Sequence, residues 1–438
     1  MGIGGAGMSG LALVAHGLGA RVTGSDRAAD SPALTRLRAA GIEPAHGHAA
    51  EHVPPGEAVE LVVSTAIAVD NPERVAGAQR GLRELHRAQL LGELTRAKPT
   101  IAVTGTHGKT TTSSMLVHAL RGVGADPAYV VGGDVRSTGA NAGWGTGGWL
   151  VVEADESDRS LLELSPTIAV LTNAELDHHA TYASRRDVDA TFGAFLALAE
   201  QAVVWDRPEL TALADPERLT TFDVPAATLE LHPGGSRFEL DGVEVALSVP
   251  GAHNARNAAA ALTAARLAGI DLAAAAAALG DFTGAGRRFE RLGTTPAGAE
   301  VVDDYAHHPT EVRATLEAAR TLGPRRVVAA FQPHLYSRTA RQAREFGVAL
   351  ALADVVVVLD VYPARERTED HPGITGRLVA ASAAAAANGR RVAWLPGFSE
   401  AEAFLRAELR EGDLLLTLGA GDVDALGRAL TGHGPSLR

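Results

Sequence analysis

Short apolar runs alternate with helical patterns along most of the chain, and this alternation is typical of an α/β protein. The runs that we interpret as strands lie at 59–65, 100–103, 149–153, 168–173, 301–303, 327–331, 355–361 and 414–418. Alanine-rich segments at 254–267, 273–278 and 383–387 favour helices. Shifts in this pattern predict three domains, at residues 1–96, 97–284 and 285–438.

Composition and charge exclude several kinds of site. The 438 residues include no cysteine, which excludes disulfides, thiolate zinc sites and a cysteine nucleophile. The formal net charge of −12 argues against a general attraction to nucleic acid or to an anionic membrane. Because no apolar run reaches about 18 residues and no signal peptide is recognisable, we expect a cytoplasmic protein.

The segment 100–112, TIAVTGTHGKTTT, is an apolar strand followed by a glycine-rich loop and the start of a helix. Backbone N–H groups near Gly105 and Gly108, the helix N-terminus and the Lys109 ammonium can converge on a polyphosphate, with the Thr110 hydroxyl facing Mg²⁺. The chain has two lysines, Lys98 and Lys109. A plain strand-to-helix turn with a surface lysine is the alternative interpretation.

A second glycine-rich loop lies at the start of the chain. Residues 2–7, GIGGAG, fit G-x-G-x-x-G, and Asp26 follows an apparent strand at 20–23. We interpret Gly4, Gly5 and Gly7 as a pyrophosphate loop, and an ordinary tight turn is the alternative. The strand that should precede such a loop is absent, so we expect the native protein to carry an upstream segment with that strand.

Acidic and histidine-containing clusters follow two of the central strands. Residues 153–158, EADESD, place several carboxylates at the C-terminal edge of a strand, where Mg²⁺ would offset their repulsion. Residues 172–179, TNAELDHH, follow the next strand. A solvated acidic loop and surface histidines are the alternatives, because Mg²⁺ does not favour imidazole.

Four further polar clusters occur in the second half of the chain, at 251–257, 287–290, 303–309 and 332–339. Asparagine amides in the first could bind a base edge or could cap a helix. Arginines in the second are suited to phosphate, although that segment can also serve as a linker. The last two follow apolar strands, and polar groups at successive strand ends indicate a pocket.

Taken together, the motifs GIGGAGMSG, GTHGKTTT, EADESD, TNxExDH, GxHNxxN, GRRFE, DDYxHHPTEV, FQPHxYSRT and VYPARE resemble those of the Mur ligase family, in family order from Gly2 to about Gly421. The resemblance implies an N-terminal Rossmann-like domain that binds a UDP-sugar. It implies a central P-loop ATPase domain with a mostly parallel sheet, and a C-terminal Rossmann-like domain that admits an amino acid.

The resemblance also implies a reaction, since the motifs are most similar to those of members that attach L-alanine to UDP-N-acetylmuramate. The lactyl carboxylate attacks the γ-phosphorus of ATP to give an acyl phosphate and ADP. The amine of L-alanine then displaces phosphate to form an amide. Mg²⁺ and Lys109 would offset the repulsion between the carboxylate and the triphosphate.

Residue roles follow from the same resemblance. The residues implied in catalysis are Lys109, Glu153, His178 and His307, of which Glu153 and His178, together with Thr110, would hold Mg²⁺. The residues implied in ATP binding are Gly105, Thr106, His107, Gly108, Lys109, Thr110, Thr111, His253, Asn254, Asn257, Arg288 and Asp304. The residues implied in substrate binding are Gly4, Gly5, Gly7, Asp26, Tyr305, His307, His334 and Arg338.

Other functions stay open at this point. A ligase that joins an intact tripeptide to the same sugar shares most of these motifs. A catalytically silent nucleotide-binding regulator and an NAD dehydrogenase are more distant alternatives, since a regulator need not keep Lys109 and Glu153 and a dehydrogenase has no use for GTHGKTTT. The carbamylated lysine of sister ligases is excluded, because no lysine follows Lys109. We expect a monomer or a weak homodimer.

Overall fold

The computed structural model describes residues 1–56, 58–64 and 66–432. The chain divides into two compact units. The first comprises residues 1–223 and 257–279, and the second comprises residues 224–256 and 280–438.

The first 97 residues form a small α/β region at the start of the first unit. Its helices are α1 (Ala6–Gly17), α2 (Pro32–Ala39), α3 (Pro72–Gln79) and α4 (Arg87–Ala97), with a 3₁₀ turn at Ala50–His52. Its strands are β1 (Ser25–Asp26), β2 (Ala45–His46), β3 (Glu60–Val63) and β4 (Arg83–His86). The Ser31 hydroxyl accepts a hydrogen bond from the Leu34 N–H at 3.2 Å and so fixes the start of α2.

The strands of this region form two separate parallel pairs, β1 with β2 and β3 with β4. Residues 1–3 run between the pairs, where the Met1 ammonium donates to the Val62 carbonyl at 2.8 Å and the Gly2 N–H donates to the Ser25 carbonyl at 2.8 Å. A cavity of about 880 Å³ lies beside them, lined by residues of β3 and β4 and by the segment 20–24 that precedes β1.

Two strand predictions in this region need correction. The strand predicted at 20–23 is wrong, because residues 20–24 have no regular structure and the strand is confined to β1. Residues 20–24 line the cavity, so they lack the adjacent strand that would hold them extended. The strand predicted at 59–65 is shorter, at β3, and Thr65 lies outside the described residues.

The central part of the chain forms a seven-stranded sheet. Its strands are β5 (Thr100–Thr104), β6 (Ala128–Val135), β7 (Ala140–Gly143), β8 (Leu150–Glu153), β9 (Ile168–Leu171), β10 (Gln201–Trp205) and β11 (Leu219–Phe222). Its helices are α5 (Lys109–Gly122), α6 (Arg185–Ala197) and α7 (Pro208–Thr211), with a 3₁₀ turn at Ser160–Glu163. The strand order is β11-β10-β9-β5-β8-β6-β7, and every pair except β6–β7 is parallel.

This order decides where the candidate site lies. β5 is fully buried and pairs with β9 on one side and with β8 on the other. The segments that leave the C-terminal ends of the three strands therefore emerge at one edge of the sheet, which is where open α/β sheets bind ligands.

The remaining elements begin with three antiparallel strands, β12 (Glu230–His232), β13 (Gly235–Leu240) and β14 (Val243–Leu247). Helices α8 (Ala252–Leu267) and α9 (Leu272–Ala278) follow, with a 3₁₀ turn at Leu279–Asp281. They agree with the alanine-rich helices predicted at 254–267 and 273–278.

The C-terminal part of the chain contains a six-stranded sheet. Its strands are β15 (Glu290–Thr294), β16 (Glu300–Asp304), β17 (Arg326–Phe331), β18 (Val355–Val358), β19 (Arg391–Trp394) and β20 (Asp413–Leu418). Its helices are α10 (Pro309–Thr321), α11 (Tyr336–Leu350), α12 (Arg377–Ala386), α13 (Phe398–Glu408) and α14 (Asp424–Thr431), with a 3₁₀ turn at Thr368–Asp370. The order is β15-β16-β20-β17-β18-β19, parallel except for β15–β16.

Apolar clusters cover both faces of this sheet. Leu316 on α10 and Phe346 on α11 pack in one cluster, and Leu405 on α13 and Leu426 on α14 pack in the other. Helices on both faces of a mostly parallel sheet make this a doubly wound, Rossmann-like domain, as predicted. Within the described part of the chain, none of the helices has the length and apolar character needed to cross a membrane.

Candidate active site

The loop between β5 and α5 forms the centre of the candidate site. Gly105 and Gly108 have positive φ angles of +132° and +83°, which favour glycine. A Cβ on Gly105 would lie 2.2 Å from the Thr172 hydroxyl oxygen, so glycine is required there for packing as well. Gly108 precedes the first residue of α5, Lys109. The loop therefore presents backbone N–H groups and a helix N-terminus at the sheet edge.

The segment after β9 holds this loop from one side. The His107 N–H donates to the Asn173 side-chain oxygen at 2.9 Å, and the His107 carbonyl accepts from the Thr172 hydroxyl at 2.6 Å. The Thr106 hydroxyl accepts from the Glu175 N–H at 2.8 Å. Polar side chains that the sequence placed at the end of β9 thus fix the loop conformation.

The segment after β8 supplies a carboxylate on the other side. The Thr110 hydroxyl donates to Glu153 Oε1 at 3.0 Å, and the Gly132 N–H donates to Glu153 Oε2 at 2.7 Å. Thr110 and Thr111 both lie in the buried first turn of α5. A hydroxyl and a carboxylate in contact offer hard oxygen ligands of the kind that Mg²⁺ prefers, so these two residues fit the predicted cation.

Glu156 is a member of the site that the sequence analysis did not select. Glu156 is 2% exposed. Its Oε1 accepts a hydrogen bond from the Lys109 ammonium at 3.0 Å, and its Oε2 lies 2.7 Å from the same nitrogen. His178 Nε2 lies 3.3 Å from Glu156 Oε1. Glu156 is the third acid of the EADESD motif, but the sequence alone gave no reason to separate its role from that of Glu153.

The surrounding charges set the ionisation of this cluster. Burial lowers the pKa of Lys109, but the nearby carboxylates of Glu156, Asp155 and Glu153 outweigh burial and raise the pKa above its ordinary value. Burial raises the pKa of Asp155, and Lys109 together with hydrogen bonds from Ser157 reverses this and lowers it. Both shifts favour the charged forms, an ammonium at Lys109 and a carboxylate at Asp155.

The predicted adenine-binding residues lie in the first turns of α8. The Asn254 amide donates to the Pro250 carbonyl at 2.8 Å, and Asn254 is buried. Burial lowers the pKa of His253 to about 4, with Arg256 adding to the shift. Asn257 lies beside the loop between β5 and α5, since a Cβ on Gly108 would lie 2.5 Å from the Asn257 side-chain oxygen.

In the N-terminal region, Asp26 contacts the glycine loop. Its Oδ2 accepts from the Gly4 N–H at 2.8 Å, and its Oδ1 accepts from the Ala28 N–H at 2.9 Å. Gly5 precedes α1, as expected for a loop at a helix N-terminus. A Cβ on Gly7 would lie 3.4 Å from an Arg87 guanidinium nitrogen, which places a cation that the sequence analysis missed beside this loop.

The second unit brings together Tyr305, His307, His334 and Arg338. The Tyr305 and His307 ring centroids are 5.3 Å apart, and those of His307 and His334 are 5.8 Å apart. Arg338 is 4% exposed, and its guanidinium lies 3.2 Å from His334 Nδ1. Tyr362, from the VYPARE motif, stacks on His334 with centroids 5.8 Å apart and was not selected from the sequence.

The ring nitrogens of this pocket can be assigned from their partners. His307 Nδ1 lies 2.9 Å from the Tyr305 carbonyl, which can only accept, so Nδ1 carries a hydrogen and the neutral ring has its lone pair on Nε2. His334 Nδ1 faces the Arg338 guanidinium, which can only donate, so the hydrogen of the neutral ring is on Nε2.

Arg288 and Asp304 lie near the same pocket. The Arg288 guanidinium carbon is 5.0 Å from the centroid of the Tyr305 ring. Asp304 accepts backbone hydrogen bonds from Phe289 at 2.8 Å and from Ala306 at 2.9 Å. Burial raises the pKa of Asp304 to about 6, against the opposing effects of Arg288 and the Phe289 N–H. Asp304 thus links the segment at Phe289 to the segment that follows β16. Its contact with ribose stays a prediction.

Comparison with known families gives three matches along the chain. Residues 1–99 match the model of the Mur ligase family, catalytic domain. Residues 103–265 match the Mur ligase middle domain, and residues 287–421 match the Mur ligase glutamate ligase domain. N-terminal, middle and C-terminal domains of this family are therefore present in that order, and the predicted boundaries at 96 and 284 stay a prediction.

Individual proteins are similar over nearly the whole chain. The UDP-N-acetylmuramate–L-alanine ligase of Streptomyces avermitilis is 45% identical and the match covers 98% of this chain and 95% of that protein. The enzyme of the same name from Mycolicibacterium smegmatis is 46% identical, with 98% and 92% covered. The solved structure of UDP-N-acetylmuramate-alanine ligase from Thermotoga maritima superimposes with a TM-score of 0.78 at 30% identity, with 98% and 96% covered.

The order of the three domain matches and the full-length similarity agree with one another. The chain belongs to the Mur ligase family.

Proposed function

We propose that this chain is an ATP-dependent ligase that joins L-alanine to the lactyl carboxylate of UDP-N-acetylmuramate, a step in making peptidoglycan precursors. The observation that carries the proposal is similarity of 45 to 46% identity, over 98% of the chain, to ligases named for that reaction. The constellation of Lys109, Thr110 and Glu153 at the end of β5 and β8 supports the use of a nucleoside triphosphate.

The reaction has two steps. A carboxylate oxygen attacks the γ-phosphorus, the bond to the bridging oxygen breaks, and ADP leaves with an acyl phosphate formed. The L-alanine nitrogen then attacks the carbonyl carbon, phosphate leaves, and the nitrogen loses a proton. Lys109 reduces the repulsion between the incoming carboxylate and the phosphates, since its raised pKa keeps it charged.

The Thr110 hydroxyl and the Glu153 carboxylate would hold Mg²⁺, and His178 would help to hold a second ion. Mg²⁺ supplies positive charge at the phosphate oxygens when it is bound. The 3.0 Å contact between Thr110 and Glu153 supports the first of these assignments. The second follows the family pattern, with His178 3.3 Å from Glu156.

Nucleotide and sugar contacts are assigned to the residues that the motifs select. The loop residues Gly105, Thr106, His107, Gly108 and Thr111 would contact phosphate. The residues assigned to adenine, ribose and phosphate are His253, Asn254, Asn257, Arg288 and Asp304. The glycine loop with Gly4, Gly5, Gly7 and Asp26 would bind the UDP-sugar.

The pocket in the second unit is assigned to L-alanine. The Arg338 guanidinium would bind the amino-acid carboxylate, and Tyr305 and His334 would line the pocket. His307 would lie near the amine, where an imidazole can accept the proton that the amine loses.

We also propose that the ligase acts in the cytoplasm, as a monomer or a weak homodimer. ATP and UDP-sugars are cytoplasmic metabolites, which supports the location. Cell fractionation tests the location, and light scattering across a hundredfold range of concentration tests the assembly.

Phosphate release with UDP-N-acetylmuramate and ATP tests the function, with L-alanine and the tripeptide compared as amines. We expect release that requires the sugar nucleotide and L-alanine, with the amide product seen by mass spectrometry. Preference for the tripeptide would replace this proposal by the tripeptide ligase. Nucleotide binding without turnover by any amine would indicate a silent regulator.

A further inference from the structure

Glu156 occupies a position between two residues that the proposed reaction needs. Its buried carboxylate contacts the Lys109 ammonium at 2.7 and 3.0 Å and lies 3.3 Å from His178 Nε2. Glu153, three residues earlier, instead accepts hydrogen bonds from the Thr110 hydroxyl and the Gly132 N–H. The carboxylates of Glu153 and Glu156 therefore hold different parts of the site.

Lys109 has its hydrogen-bond donors directed at acceptors of the protein itself. Besides Glu156, the ammonium donates to the Gly105 carbonyl at 2.7 Å and to the Thr106 carbonyl at 3.3 Å. An ammonium has three donors, so these contacts use them all. Contact between Lys109 and a phosphate therefore requires at least one of these partners to be exchanged.

The position of Glu156 is itself fixed by buried contacts. The Tyr182 hydroxyl donates to the Glu156 carbonyl at 2.6 Å, and Tyr182 is 1% exposed. On the other side, His178 has a φ of +51°, in the left-handed region that a residue with a side chain rarely adopts. Such a conformation persists where the surrounding contacts hold it, and it occurs often at functional sites.

We propose that Glu156 is a positioning residue, the internal counter-ion that holds Lys109 and His178 and gives up Lys109 when a polyphosphate binds. The inference rests on the proposed function, because it requires Lys109 to bind phosphate. Glu156 then competes with the polyphosphate for Lys109 and repels it. Turnover nevertheless depends on Glu156, since it places both the ammonium and the imidazole.

Glu156 should therefore weaken ATP binding but increase turnover. A residue with a merely structural role would not affect the two in opposite directions. Glu156→Gln removes the charge and keeps the shape. Without Mg²⁺, in EDTA, the variant should bind ATP at least about threefold more tightly than the unmodified protein, because the competing carboxylate is gone. Its turnover with all substrates should fall about tenfold or more, because a misplaced electrostatic group loses its effect on the transferring phosphoryl group.

Two further variants serve as controls in the same calorimetric titration. Glu156→Asp keeps the charge and should bind Mg²⁺-free ATP within about twofold of the unmodified protein. Asp158→Asn removes a charge from the same loop at an exposed position that pairs with Arg87, and it should leave the affinity for Mg²⁺-free ATP within about twofold. Weaker or unchanged ATP binding by Glu156→Gln would overturn the proposal.

The lysine content of the chain gives a readout that does not depend on Glu156→Gln folding. Labelling lysine with ¹⁵N produces side-chain signals from Lys98 and Lys109 alone, and Lys98→Arg leaves the Lys109 signal. We expect that signal to shift in Glu156→Asp and to stay in place in Asp158→Asn. An unchanged signal in Glu156→Asp would also overturn the proposal.

Failure of the proposed function looks different from failure of this inference. A protein without variants that neither binds ATP nor releases phosphate with any amine would contradict the function itself. An active protein whose Glu156→Gln variant binds ATP no more tightly would contradict the role of Glu156 alone.

Discussion

Lys109 is a partly buried cation whose charge is stabilised by neighbouring carboxylates more than by water. Glu156 contacts it directly, and Asp155 and Glu153 add to the favourable field. Such an ammonium is poised to neutralise charge on a transferring phosphoryl group, because little reorganisation of solvent is needed.

Replacing Lys109 with alanine should therefore lower turnover by about 10² to 10³ while the fold is kept. Lys98→Ala is the matched control, since Lys98 is the other lysine and contacts the carbonyls of Gly145 and Gly147. The measurement is the rate of ADP formation with all substrates, with circular dichroism as a check on folding. Near-normal ADP formation by a folded Lys109→Ala variant would remove Lys109 from the mechanism.

We expect the His253 ring to stay neutral at pH values well below 6.5, because burial and Arg256 lower its pKa to about 4. The unfolded chain would protonate this ring near pH 6.5. Between pH 6.5 and pH 4 the unfolded chain binds a proton at His253 that the folded chain does not. The free energy of unfolding is therefore highest above pH 6.5 and decreases as the pH falls towards 4. An NMR pH titration checks this, with the signal assigned by its loss in His253→Gln. A midpoint near 6.5 would contradict the burial of the ring.

At the scale of elements, strand ends position most of the site. The loop after β5 lies between the segments that follow β8 and β9, and α11 begins directly after the loop that carries His334. Leu335 in that loop has a φ of +69°, a strained backbone conformation at the start of the helix that carries Arg338.

Arg338 lies in the first turn of α11, where we propose that it binds the amino-acid carboxylate. Arg338→Ala should raise the KM for L-alanine about 10- to 150-fold, the effect of losing a charged hydrogen bond, and change the KM for ATP far less. Arg341→Ala, at an exposed position on the same helix, is the control. Equal increases for all three substrates would point to a structural role for Arg338.

We expect the N-terminal strands β1 and β3 to be locally less stable than the central strands β5 and β9. β1 and β3 each pair with one strand only among the described elements, whereas β5 pairs on both sides. Backbone amides of β1 and β3 should exchange with solvent at least about 100-fold faster than those of β5 and β9. Hydrogen exchange followed by mass spectrometry measures this. Equal protection would show that the open strand edges do not weaken the region.

At the scale of the whole molecule, the α/β fold class predicted from the sequence is confirmed, and the roles of the site residues stay a prediction. Buried parallel strands such as β5, β9 and β18 are continuous apolar runs, so they could be recognised from local pattern. The strand expected at 20–23 failed, because extended structure there depends on a neighbouring strand that local pattern cannot supply.

Residues within motifs could be selected as candidates because spacing along one loop is visible in the sequence, as for Lys109 and Thr110. Glu156, Arg87 and Tyr362 were missed because their roles depend on contacts with distant segments. The direction of each shifted pKa likewise depends on burial, which only the fold determines.

The central claim is that the carboxylate of UDP-N-acetylmuramate is activated by transfer of the γ-phosphoryl group and then joined to L-alanine. The most direct measurement uses UDP-N-acetylmuramate with ¹⁸O in the lactyl carboxylate, together with ATP and L-alanine. Attack by the carboxylate oxygen predicts one ¹⁸O atom in the released phosphate and the other in the amide product. Phosphate that contains no ¹⁸O, formed alongside the amide, would contradict the account.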